Sequence, residues 1–72
     1  MRLEQITYFL RVAEHGNITA AAKSLYISQP ALSKQITLLE QEIGLPLFER
    51  QARGVTLTRA GMQFQKDLKN IL

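Results

Sequence analysis

The segment from Thr19 to Gly44 limits the possible folds of this chain more than any other part of it. Thr19 is a good N-cap, and Ala20-Ala21-Ala22 leading to Leu25 reads as a short helix whose small side chains let another helix approach closely. Tyr26 and Ile27 then form a short turn. Ser28 caps the next helix, with Pro30 in the first turn, where a missing N–H costs nothing. That helix runs to about Ile43 and stops at Gly44. Two helices joined by so short a turn, the first lined with alanine, describe a helix-turn-helix.

The faces of the second of these helices follow from a rotation of about 100° per residue. Leu32, Ile36, Leu39 and Ile43 fall on one narrow stripe, while Pro30, Ser33, Lys34 and Thr37 cluster on the opposite side. Gln29 lies between the two, at the N-terminal tip. The outward face is therefore short, polar, cationic and free of acids, which suits a helix that enters a nucleic-acid groove and hydrogen-bonds base edges. A merely solvated helix more often mixes both charges, as this one does only after Glu40.

The flanks complete one small domain. Leu3, Ile6, Phe9, Leu10 and Ala13 recur at helical spacing, and Gly16 with Asn17 supplies a stop. His15 sits in the last turn of that helix, where a cation meets the negative end of the dipole. After Gly44, Leu45-Pro46 breaks the chain, and two short segments, Leu47 to Arg50 and Val55 to Thr58, read as a β-hairpin. Gln51-Ala52-Arg53-Gly54 turns between them, with Arg53 at the tip. Thr58 caps a fourth helix, in which Ala60, Phe64, Leu68, Ile71 and Leu72 share one broad apolar face despite Gly61. That pattern still runs at the last residue, so the sequence is read as a piece of a longer protein.

With 72 residues, 46% of them hydrophobic, the chain supports a single core and no cleft between domains. A chain this short buries only about 60% of the surface it exposes unfolded, so outside support is expected. There is no Cys, and His15 has no companion ligand nearby, which points to oligomerisation rather than disulfides or metals. The net charge of +3 is a weak argument for nucleic acid, but its distribution says more. Acids are absent between Glu14 and Glu40 and again between Glu49 and Asp67. Those two windows hold Lys23, Lys34, Arg50, Arg53, Arg59 and Lys66, and a polyanion meets no carboxylate in either. The lack of Cys fits a cytoplasmic protein, and no stretch reaches the roughly 18 apolar residues of a membrane span. No Ser/His/acid set, glycine-rich phosphate loop or metal spacing marks an enzyme.

The chain resembles, from end to end, the amino-terminal domain of LysR-type transcriptional regulators. The matching residues are Leu3 to Ala13, Ala21-Ala22 with Leu25, Ser28-Gln29-Pro30-Ala31-Leu32-Ser33, Leu39-Glu40, Gly44-Leu45-Pro46-Leu47-Phe48-Glu49-Arg50, and Leu57-Thr58 before Gly61. The resemblance implies a mainly α, winged helix-turn-helix fold: a three-helix core, a two-stranded wing and the start of a long linker helix. Residues 1–58 would form the DNA-binding domain, with the helix-turn-helix at about 18–37 and the wing at about 47–58. Residues 59–72 would open a linker helix that pairs with its copy in a dimer or tetramer through Phe64, Leu68, Ile71 and Leu72. An effector-binding domain would be absent, so no cofactor is expected in this chain.

The resemblance further implies double-stranded DNA as partner, with Gln29, Pro30, Ser33 and Lys34 facing the major groove and Arg53 entering the adjacent minor groove. Thr19, Ser28, Thr37 and Arg50 are secondary candidates, for phosphate. Each has a plainer alternative. Ser28 is first an N-cap, and its helix terminus can still offer N–H groups to a phosphate. Gln29 can pair bidentately with adenine, and Pro30 either sets the first turn or touches a thymine methyl. Ser33 and Thr37 are either phosphate contacts or solvated. Lys34 replaces the commoner arginine of the family and favours phosphate or one-point guanine contact. Arg53 beside Gly54 suits a narrow A·T-rich groove. Arg50 has a competing reading as a salt bridge to Glu49 or Glu42. Tyr26 stands where many helix-turn-helix proteins carry Gly, so either its backbone is unstrained or packing compensates. The alternative function is a winged-helix module that docks proteins, which would call for an apolar face on the third helix.

Overall fold

The apolar spacing folds into four helices and one hairpin: α1 (Leu3–His15), α2 (Ile18–Ser24), α3 (Gln29–Ile43), β1 (Phe48–Gln51), β2 (Gly54–Leu57) and α4 (Arg59–Ile71). The computed structural model describes residues 1–71. Phe9 and Val12 from α1, Ile18, Ala21 and Ala22 from α2, and Leu32, Ile36 and Leu39 from α3 form the core, closed below the wing by Leu47, Val55 and Leu68. The stripe expected on α3 is therefore the buried one, with Ile43 half-buried at its end. Leu3, by contrast, is 75% exposed and does not join the α1 face.

Phe9 is the hub. Its ring lies 5.2 Å from that of Phe48 and 4.9 Å, edge-on, from that of Phe64, so α1, β1 and α4 meet on one residue. The carboxamide of Gln5, buried on α1, donates to Gln35 Oε1 of α3 at 3.3 Å, which leaves no unpaired polar group between the two helices.

The helix ends explain why the chain turns where it does. Gly16 takes a left-handed conformation (φ 64°) and its N–H bonds to Val12 O, ending α1 alone. Asn17 is thereby free to cap α2, its Oδ1 accepting from Ala20 N at 2.9 Å. This corrects the expectation that Thr19 caps α2: Thr19 lies inside the first turn, exposed. At the other end of α2, Tyr26 N donates to Lys23 O and Ile27 N to Ala22 O, the paired bonds of a Schellman motif. Tyr26 occupies its left-handed position, with φ 58°, and is 94% exposed. Neither of the two expected outcomes holds. The backbone is in a region costly for a non-glycine residue, and packing of the side chain does not offset it; the hydrogen bonds of the motif impose it.

The strands pair antiparallel with Phe48 opposite Leu57 and Gln51 opposite Gly54. They sit one residue away from the expected spans at each end. Leu47 is buried, but its N–H, with that of Phe48, is taken by the Glu40 carboxylate at 2.7 and 3.1 Å, so the strand begins after it. Val55 N donates to Gly16 O at 3.0 Å, tying β2 to the loop between α1 and α2. Gly54 (φ 139°) is pressed against that loop, since an added Cβ would stand 2.2 Å from Gly16 O. Thr58 caps α4 as expected: Oγ1 accepts from Gly61 N at 3.0 Å and donates to Pro46 O at 2.6 Å.

The α4 face needs a correction. Leu68 is buried and Phe64 half-buried against Phe9, so both are part of this domain's own core rather than a free face for a second subunit. Ile71 is 78% exposed, and Leu72 lies outside the described residues.

Candidate nucleic-acid interface

Ser28 accepts from Ala31 N at 3.2 Å and so opens α3, with Pro30 in the first turn. From that start the helix presents Pro30, Ala31, Lys34, Thr37 and Leu38 outward, all exposed, with Gln29 and Ser33 half-buried beside them. The opposite side is the core, so this outward face cannot rotate without exposing Leu32, Ile36 and Leu39. Gln29 and Ser33 touch: Nε2 of Gln29 donates to Ser33 Oγ at 2.8 Å.

The acid-free stretch is longer in space than in sequence. Glu40 ends it in the sequence, yet its carboxylate points to the amides of Leu47 and Phe48. The first acid exposed on α3 is Glu42, which pairs with the amino group of Met1 at 2.7 Å. From Gln29 to Gln41 no exposed acid therefore interrupts α3, and from Gln29 to Thr37 its outward groups are cationic, polar or small, the arrangement that tolerates a polyanion at close range.

One cleft gathers Asn17 and Thr19 at the start of α2, Gln29 at the start of α3, and Arg50, Gln51 and Gly54 at the turn end of the wing. Thr19, Gln29 and Arg50 are thus brought together, although they are far apart in sequence. Arg50 is exposed, and neither of the two ion pairs among the described residues includes it, so the salt bridges to Glu49 and Glu42 do not form. Arg53 stands exposed in the two-residue turn between β1 and β2. Lys23, Lys34, Arg59 and Lys66 are exposed as well.

Two residues escaped the sequence reading. Ala31 lies on the exposed face between Pro30 and Lys34; its small side chain carries no chemical signal, only its position one helical turn before Lys34. Glu40 anchors the wing, a role that no local pattern announces because its partners lie seven and eight residues on and bond through backbone. Among the described residues no cluster of His, Cys, Asp or Glu could hold a metal ion, and no helix is long and apolar enough to cross a membrane.

A short α2 packed across α3, an exposed acid-free face on α3, and a hairpin beside it define a winged helix-turn-helix domain. The sequence pattern of bacterial regulatory helix-turn-helix proteins of the lysR family matches residues 3–62. The chain belongs to that family. It is 53% identical over 72 residues to the HTH-type transcriptional regulator ClcR of Pseudomonas putida, covering 100% of this chain and 24% of that protein. It is likewise 53% identical to BudR of Klebsiella aerogenes, over 100% of this chain and 50% of that regulator. Among solved structures, a CbnR_DBD–DNA complex superposes with a TM-score of 0.92 at 46% identity, covering 99% of this chain and 82% of that one. The BenM_DBD/catB site 1 DNA complex gives 0.86 at 43% identity, over 99% and 81%. The chain spans about a quarter of the length of ClcR.

Proposed function

We propose that this chain is the operator-reading domain of a bacterial transcription regulator, with α3 lying in the major groove and the wing over the adjacent minor groove. The observation that carries this reading is the exposed face of α3, which is free of acids as far as Glu42 and is fixed in orientation by the buried stripe behind it. The two similar domains solved with DNA support it. In this reading Gln29, Pro30, Ser33 and Lys34 face the major groove, and Ala31 adds a methyl for thymine contact. Arg53 enters the minor groove, where narrow A·T-rich steps concentrate negative potential. Thr19, Ser28, Thr37 and Arg50 hold phosphates, positioning the helix without reading sequence.

The chain acts with a second copy, through α4, on two half-sites, as a dimer or within a tetramer. A small-molecule effector acts on a further domain of the whole regulator, which works in the cytoplasm and is not an enzyme. The α3 surface, with Lys34 and Thr37 at its centre, does not suit a protein-docking module, which would need a mainly apolar face.

The test is selection of duplexes from a random pool by this chain, followed by titration of the selected duplex across salt concentrations. Affinity should fall with a log–log slope of about −0.9 per neutralised phosphate, several in all. A salt-independent affinity, or a pool that stays random, overturns the reading.

A further inference from the structure

Gln29 and Ser33 lie one turn apart on α3, the spacing at which helical side chains meet, and they are joined by a 2.8 Å hydrogen bond from Gln29 Nε2 to Ser33 Oγ. Both are half-buried, while their neighbours Pro30, Lys34 and Thr37 are exposed. The bond uses one of the two hydrogens on the Gln29 amide nitrogen. What the bond leaves unused is Oε1 with its lone pairs and the other Nε2 hydrogen.

We infer that Ser33 is a positioning residue, which fixes the Gln29 carboxamide so that it reads adenine in the major groove. This rests on the DNA-binding reading above. Adenine presents a donor, its N6 amino group, next to an acceptor, N7, and an outward carboxamide edge meets both at once. An untethered glutamine spreads its carboxamide over several rotamers. The bond to Ser33 Oγ holds its end against the next turn of the helix, so the remaining acceptor and donor meet the base from one position. The hydroxyl of Ser33 therefore acts on the DNA through Gln29 and not by its own contact.

The two roles separate in a double-mutant cycle measured on the selected duplex and on copies of it carrying guanine, or 7-deazaadenine, in place of adenine at each step. The wild-type chain should prefer adenine at one step by about tenfold and lose that preference when N7 is replaced by carbon. Ser33→Ala should reduce the preference to about threefold or less at that step alone, with thermal unfolding unchanged, because alanine is a good helix residue. Ser33→Thr, which keeps a hydroxyl, should restore it. In the Gln29→Ala background, Ser33→Ala should have no further effect. The inference is overturned if Ser33→Ala leaves the adenine preference intact. It is equally overturned if that variant weakens binding to every duplex by the same factor with or without Gln29, which would make Ser33 a direct phosphate contact. Both of those results leave the operator reading standing; absence of binding by the wild-type chain is the separate outcome that removes both.

Discussion

Tyr26 shows most directly how a single residue can oppose its own conformational preference in this fold. A left-handed φ costs an L-residue roughly 1–2 kcal/mol, and a glycine there costs about 0.5–1 kcal/mol in extra unfolded-state entropy. With the side chain 94% exposed, little packing is lost by removing it. Tyr26→Gly should therefore stabilise the domain by about 0.5–1 kcal/mol, raising Tm by roughly 2–8 °C, which circular dichroism during heating will read. A lower Tm would mean that the tyrosine ring makes contacts in its own right. Gly61 is the opposite case. Alanine is favoured over glycine inside a helix by about 1 kcal/mol, so propensity alone argues for replacing it. A Cβ there would stand 2.1 Å from Leu47 O, on backbone that cannot yield without moving the wing. The clash wins, and Gly61→Ala should destabilise by about 1–3 kcal/mol in urea unfolding. In the sequence Gly61 reads only as a weakness in a helix, because the atom it must avoid belongs to a residue fourteen positions earlier in the chain.

Among the elements, those with regular periods were legible, and their ends were legible only where one residue had one task. The α3 stripe follows from its 3.6-residue repeat, and all of Leu32, Ile36 and Leu39 are buried where it puts them. The sequence places Asn17 with Gly16 in the stop of α1, but Gly16 makes that stop unaided, and the cap of α2 lies two residues upstream of Thr19. Asn17→Ala should cost about 1 kcal/mol, whereas Thr19→Ala should stay within about 0.5 kcal/mol, and chemical unfolding of the two variants compares them directly. Equal losses would return the cap to Thr19. The wing was legible as a hairpin, but what fastens it was not. Glu40 reaches from α3 to two strand amides, bonds of a charged acceptor that are worth more than neutral ones. Glu40→Ala should cost about 2 kcal/mol and speed hydrogen exchange at Leu47 and Phe48 ahead of the helices.

At the scale of the whole molecule, periodicity tells that α4 has an apolar face but not what covers it. Part of that face is already covered from within: Leu68 is 5% exposed, and Phe64 packs edge-on against Phe9. Ile71, 78% exposed, and Met62, 56% exposed, are the large apolar side chains of α4 that remain outside. In the proposed dimer, folding and pairing would therefore separate along one helix. Leu68→Ala should destabilise the monomer by about 2–5 kcal/mol, as expected for emptying a core site. Ile71→Asp should leave Tm within a degree or two, because a surface change of this kind is within about 0.5 kcal/mol, yet it should weaken self-association in sedimentation. On DNA the same variant should bind one isolated half-site as the wild type does. On a duplex with two half-sites the linked pair gains from effective concentration, a factor of about 10²–10⁴ that the unpaired variant loses. If Ile71→Asp keeps full two-site affinity, the pairing surface lies elsewhere than on this end of α4; if it loses single-site affinity as well, α4 contributes to holding the DNA-facing elements in place and not only to pairing.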